Sequence, residues 1–129
     1  MKNAARCLHA FAAPRSVKVY PGATQPLLRP ARYDAEIHGP DGLAGVEGLP
    51  SFDNEEVRAR VASDVATARA IEGMAAAIHG TWKNGAGEKV VLVSSGPMTN
   101  IALFSCVYPE LLEAIGTFFF VYTMRKINS

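Results

Sequence analysis

The chain has 129 residues, 49% of them hydrophobic and 19% charged, with a formal net charge of +1. That length suits one small domain or part of a larger one, and its dispersed, near-neutral charge excludes the basic footprint of a nucleic-acid or anionic-membrane binder. No stretch reaches the about 18 apolar residues that a bilayer-spanning helix needs.

Residues 3–12, rich in alanine and leucine, predict a helix stopped by Pro14. Asn3, Arg6 and His9 interrupt what would otherwise be the apolar run of a signal peptide. VKVY at 17–20 predicts a short strand closed by the turn pair Pro21-Gly22. Residues 21–52 carry prolines at 21, 26, 30, 40 and 50, with glycines at 22, 39, 42, 45 and 48, and show no sustained period. A loop of that length inside a compact domain is usually functional, or else evidence that its partners are missing. Residues 53–79 read as helix in two pieces, with Asp53 and Glu56 at capping-box spacing. Ile71, Met74, Ala75 and Ile78 fall on one helical face, the pattern of core packing. Gly80 is expected to end that helix, before the flexible NGAG at 84–87.

KVVLVS at 89–94 is a β-branched run suited to a parallel strand buried on both faces. Ser95-Gly96-Pro97 follows, then a helical pattern over 98–107 with proline at its favoured first position. A strand, a tight turn and a helix make a βα unit, and in open α/β sheets ligands bind at the carboxyl ends of the strands. TFFFVYT at 117–123 is β-prone and uncharged, a self-association hazard if left unpaired. The two cysteines, Cys7 and Cys106, lack zinc-site spacing and are expected to be buried free thiols, with one long-range disulfide as the alternative.

Two constellations could carry chemistry. In IHGPDGLAG, 37–45, His38 and Asp41 stand three apart in a glycine-rich loop. Such a pair serves a metal, a proton transfer or a hydroxyl-rich ligand, or else a solvated turn. The glycine spacing is neither a Walker A loop nor a dinucleotide fingerprint. In SSGPMTN, 94–100, backbone carbonyls can ligate a hard cation and backbone N–H groups can hold an anion. His9 and His79 fall in helical segments and are taken as structural, as is the Glu55–Glu56 pair at a helix start. No G-x-S-x-G elbow occurs.

Together, NAARCL (3–8), VKVYPGATQPLLRP (17–30), IHGPDGLAG, and VVLVSSGPMTNIAL with VYPEL (90–111) resemble the inosine–uridine-preferring nucleoside hydrolases over roughly residues 2–114. The resemblance implies an α/β chain, a partial Rossmann-like nucleoside hydrolase fold with parallel strands. It implies hydrolysis of the N-glycosidic bond of ribonucleosides such as inosine and uridine, in cytoplasmic purine and pyrimidine salvage. In the complete family domain a calcium ion holds the ribose 2′- and 3′-hydroxyls and activates a water, and an aspartate takes the proton.

By the same resemblance, His38 matches a substrate-binding histidine of the nucleoside pocket. Ser95 falls where a residue, commonly threonine, ligates calcium through its backbone carbonyl, a role indifferent to the side chain. Asp41, Thr99 and Asn100 belong to the motifs with structural roles, and no catalytic residue is assigned. The family's D-x-D-x-x-x-D-D cluster, its asparagine-bearing strand before NAARCL and its late His-Asp pair have no counterpart in these 129 residues, and Met124 is followed by Arg125 where the family has Met-Gly-Gly. Residues 1–115 are therefore expected to be a partial hydrolase domain and 116–129 a divergent tail, with no activity in this chain alone. The expected partners are a ribonucleoside and further copies of the chain, a homo-oligomer, with no nucleic acid and no membrane. The alternative is a non-catalytic protein that docks on a full-length relative.

Overall fold

In the computed structural model, which describes residues 1–28, 30–31, 35–64 and 68–121, the alanine-rich start forms helix α1 (Lys2–Ala10) with Ala5 buried. Backbone geometry, not Pro14, ends it. Ala12 takes φ +49°, its N–H donates to His9 O at 3.0 Å, and Ala13 N–H donates to Leu8 O at 2.9 Å. That is a Schellman closure carried by alanine where glycine is usual, and it stops the helix two residues before the predicted end.

VKVY does not become a strand. It keeps a single parallel bridge, Val19 to Val61, in which Val19 N–H donates to Arg60 O and Ala62 N–H to Val19 O, both at 2.9 Å. Val17 and Lys18 are exposed, and a pairing of one residue cannot propagate into a ladder. The described part of residues 21–52 is irregular apart from one unpredicted helical turn, α2 (Ala35–His38).

The predicted helix over 53–79 does fall into two pieces, α3 (Glu55–Arg58) and α4 (Ala70–Trp82); residues 65–67 of that span lie outside the described residues. The N-cap of α3 is Asn54 rather than Asp53, its Oδ1 accepting from Glu56 N–H at 2.8 Å and Val57 N–H at 3.4 Å. Asp53 instead pairs with Ser51, whose Oγ accepts its N–H at 3.1 Å. Gly80 does not end α4, which runs on to Trp82 and a 3₁₀ turn at Lys83–Gly85. Gly73 permits a close approach: a Cβ there would lie 2.5 Å from the Tyr20 ring.

The chain divides into two units, Met1–Gly73 and Met74–Ser129. In the second, strand β1 (Val90–Ser94) leads through a turn into α5 (Thr99–Val107), then a 3₁₀ segment (Pro109–Ala114) and strand β2 (Ile115–Phe120). β1 and β2 pair in parallel, Val91 opposite Thr117 and Val93 opposite Phe119. Pro97 lies outside α5, whose N-cap is Met98, so the predicted helical start at 98 moves one residue on. Ala75 and Ile78 of the predicted stripe are buried, as are Phe104, Leu111 and Ala114. The architecture is a partial α/β fold with parallel strands, as predicted.

Burial of β1 on both faces does not hold. Val91 and Val93 are 62% and 63% exposed, and Phe119 beside them is 59% exposed. On the opposite face Leu92 is half-buried and Ser94 buried. Parallel sheets ordinarily carry a layer on each side, and among the described residues no such layer covers the Val91–Val93 face. The last part of the predicted aromatic strand, 122–123, and the basic tail lie outside the described residues.

Phe104 has no exposed surface, and its ring centroid lies 5.8 Å from that of Tyr108. Phe104→Ala is expected to lower stability by about 3–5 kcal/mol, the usual cost of truncating a buried phenylalanine. Urea denaturation of the two proteins side by side measures it, and an unchanged midpoint would contradict the packing described for this residue.

Candidate functional site

The glycine-rich loop begins as α2 ends. His38 is the last residue of that helical turn, and its side chain is exposed. Its carbonyl accepts from Ala44 N–H at 2.8 Å, folding residues 38–44 into a closed ring of backbone. Gly39 makes this possible. It sits at φ +71°, and a Cβ on it would fall 2.7 Å from Ala44 Cα. Any side chain would drive the two strands of the loop apart.

Asp41 occupies the inside of the turn. Its Oδ1 accepts from Leu43 N–H at 2.9 Å and from Gly45 N–H at 3.1 Å. These amides, Leu43 first and Gly45 second, hold the carboxyl below the usual carboxylate range, with a small contribution from the positive charge of Arg6. Asp41 is therefore a turn-forming residue, an Asx arrangement that fixes the loop's curvature.

Two residues of the NAARCL helix hold the loop from outside. Asn3 Nδ2 donates to Asp41 O at 2.7 Å, and Arg6 Nε donates to Pro50 O at 2.8 Å. Asn3 and Arg6 are one turn apart on α1, and Arg6 Nη1 also reaches Asn3 Oδ1 at 3.5 Å. Motif and composition alone leave these two without a role. The available clue is their spacing, two polar residues on one face of an otherwise alanine-rich first turn.

The second constellation lies in the other unit. Ser95 is exposed, just past the carboxyl end of β1. Beside it Ser94 is buried, and its Oγ donates to Gly96 O at 3.3 Å, which stiffens the turn. Thr99 and Asn100 open α5 and are half-buried. His38 and Ser95 thus belong to separate units of the chain. His9 faces Glu56 at 3.8 Å, and His79 lies exposed on α4. Both cysteines are free thiols as predicted, but Cys106 is exposed and Cys7 half-buried, so neither is a core residue.

The residues do not by themselves fit a calcium ion. Calcium takes six to eight oxygen ligands. Among the described residues no three histidine, cysteine or acidic side chains converge, and the Asp41 oxygen that accepts hydrogen bonds is committed to two amides.

A glycine-shaped loop closed on a helical turn, and a strand–turn–helix leading into a parallel partner strand, define an α/β protein with its candidate residues on loops at element ends. Residues 1–122 match the family of inosine-uridine preferring nucleoside hydrolases, and the chain belongs to that family. It is similar to an uncharacterized protein of Schizosaccharomyces pombe, 35% identical over 107 residues, which covers 83% of this chain and 28% of the relative. The non-specific ribonucleoside hydrolase RihC of Klebsiella pneumoniae (strain 342) is 36% identical over 109 residues, 84% of this chain and 30% of that protein. RihC of Salmonella agona is 35% identical over the same share of each. The chain therefore spans about 30% of the length of these curated relatives.

The Asp41 geometry has a pH consequence. Because the folded carboxyl is lowered, its stabilising effect is complete above the ordinary carboxylate pKa and disappears as pH falls through the lower, folded value. An NMR titration of the Asp41 carboxyl is expected to give a midpoint below the ordinary aspartate value. In Asp41→Ala, amide exchange at Leu43 and Gly45 should rise at neutral pH. A midpoint at the ordinary value would remove the Asx assignment.

Proposed function

We propose that this chain carries part of a ribonucleoside-binding pocket and contributes to hydrolysis of the N-glycosidic bond, giving ribose and a free base. The observation that carries this is the IHGPDGLAG loop, shaped by Gly39 and Asp41 and tied to α1, which presents His38 at its start. His38 is assigned to contact with the sugar or base. Its imidazole can donate or accept a hydrogen bond, which suits hydroxyl and heterocyclic partners alike. The bond breaks through an oxocarbenium-like sugar, so the preorganised groups around the ring matter most where positive charge develops. Calcium is the proposed cofactor, with the Ser95 carbonyl as one oxygen ligand. The other ligands are not among the described residues, so no reaction step is assigned to the ion here. The proposed setting is cytoplasmic purine and pyrimidine salvage, with a homo-oligomer as the working assembly. We place the end of the hydrolase-like part at residue 115.

A second reading is favoured by one observation, the open apolar face of Val91, Val93 and Phe119. On that reading the chain is non-catalytic and docks on a full-length relative.

The test is calcium-dependent release of base from inosine and uridine by the purified 129-residue chain. No release is expected, because a single backbone ligand does not hold the ion; measurable turnover would overturn the proposed inactivity of the chain alone. In a full-length protein carrying this segment, His38→Ala is expected to lower kcat/KM about tenfold, or about 1.4 kcal/mol of transition-state binding. Unchanged kinetics would remove His38 from the pocket. A stable stoichiometric complex between this chain and a full-length hydrolase, seen by sedimentation, would instead support the docking reading.

A further inference from the structure

A cavity of about 440 Å³ lies in the first unit, away from the glycine-rich loop, between the end of α1, residues 12–18 and the end of α3. Four of its lining residues, His9, Arg15, Lys18 and Arg60, are basic or can become cationic, and Glu56 is its one acidic lining residue. The distribution of partners is uneven. Glu56 is shared by Arg15 at 3.4 Å and His9 at 3.8 Å. Among the described residues, Lys18 and Arg60 have no carboxylate within 4.0 Å. Lys18 Nζ donates to Ala59 O at 2.9 Å, and Arg60 Nη1 donates to Pro14 O at 2.9 Å. Both partners are neutral, so among the described residues Arg15, Lys18 and Arg60 line the cavity against the single carboxylate of Glu56, and positive charge is in excess there.

Arg60 is the informative member. The residue is only 8% exposed while lining the cavity, so the space in which an anion could pair with its guanidinium is the cavity itself. The carbonyls nearby do not neutralise the guanidinium. Those of Cys7, Leu8 and His9 at the end of α1 already accept from Phe11, Ala13 and Ala12 N–H, and the Pro14 carbonyl also accepts from Val17 N–H. Three carbonyls of the last turn of α1 are thereby met by the chain's own amides.

We propose that this cavity binds a phosphate group, either as the free ion or as the end of a small phosphomonoester, between Lys18 and Arg60. Arginine supplies a planar fork matched to phosphate oxygens, and lysine supplies a compact charge. The cationic residues converge from three chain segments onto a concave space, a small-molecule arrangement and not the extended groove that an acidic peptide would need. The volume lies within the range of small-ligand pockets and leaves room for more than the phosphate itself. This inference is independent of the hydrolase reading, since it uses neither His38 nor Ser95.

The experiment is calorimetric titration of the full chain with inorganic phosphate and, separately, with glycerol 3-phosphate. Saturable binding of at least one is expected, weakened fivefold or more in Lys18→Gln and tightened in Glu56→Gln, which removes the repelling carboxylate. Opposite shifts at two exposed positions are not the signature of a damaged fold, and circular dichroism checks that both variants retain it. Tighter binding of the ester assigns the cavity to phosphomonoesters, and tighter binding of inorganic phosphate assigns it to the free ion. Absence of binding to both probes at millimolar concentration overturns the proposal, as does binding that neither substitution changes.

Discussion

Two side chains one helical turn apart decide where the glycine-rich loop lies. Asn3 and Arg6 donate to the backbone carbonyls of Asp41 and Pro50, residues about forty positions away in sequence. Because the acceptors are backbone, the tether is indifferent to the side chains of the loop and sensitive only to its path. Closing so long a segment has an entropic cost, and two hydrogen bonds from one helix, the one from Arg6 charge-assisted, are a local way to offset it. Within this frame Asp41 can turn the chain and Gly39 can let it cross itself. The Arg6 guanidinium holds one end of the loop and also biases the Asp41 carboxyl toward its charged form.

What could be read from the sequence was mainly what depends on neighbours along the chain. The amphipathic stripe through Ala75 and Ile78, the β1 run and its turn, and the parallel α/β class all follow from local period and composition. The family was legible for another reason, the order of several separated motifs. The misses share a physical cause. Asn54 and Asp53 are both good caps, and the structure uses Asn54 while Asp53 is engaged with Ser51. VKVY has strand propensity, but a ladder needs a partner over several residues, and Val61 supplies one. Gly80 is tolerated in α4 because intrinsic propensity costs about 1 kcal/mol and the rest of the helix outweighs it. The tethering roles of Asn3 and Arg6 depend on contacts across the unit, which no local pattern encodes.

The parallel strands illustrate a constraint of a different kind. β1 and β2 satisfy each other's backbone, yet backbone pairing alone does not bury side chains. A β-branched run such as VVLVS is written for two covered faces, and in this chain one face is covered in part while Val91, Val93 and Phe119 meet solvent. The sequence pattern therefore describes an environment larger than the one these residues provide for themselves.

The position of the two tethers on one rigid helix has a consequence for recognition. A segment held at a single point can still swing, whereas residues 41–50 are held at both ends from the same face of α1. The loop and the helix are then coupled, and part of the conformational freedom a binding loop surrenders on meeting its ligand is already given up in the free protein. Contacts made through this loop should show a correspondingly small entropic penalty, so modest interactions at its rim translate into affinity more fully than they would on an untethered loop.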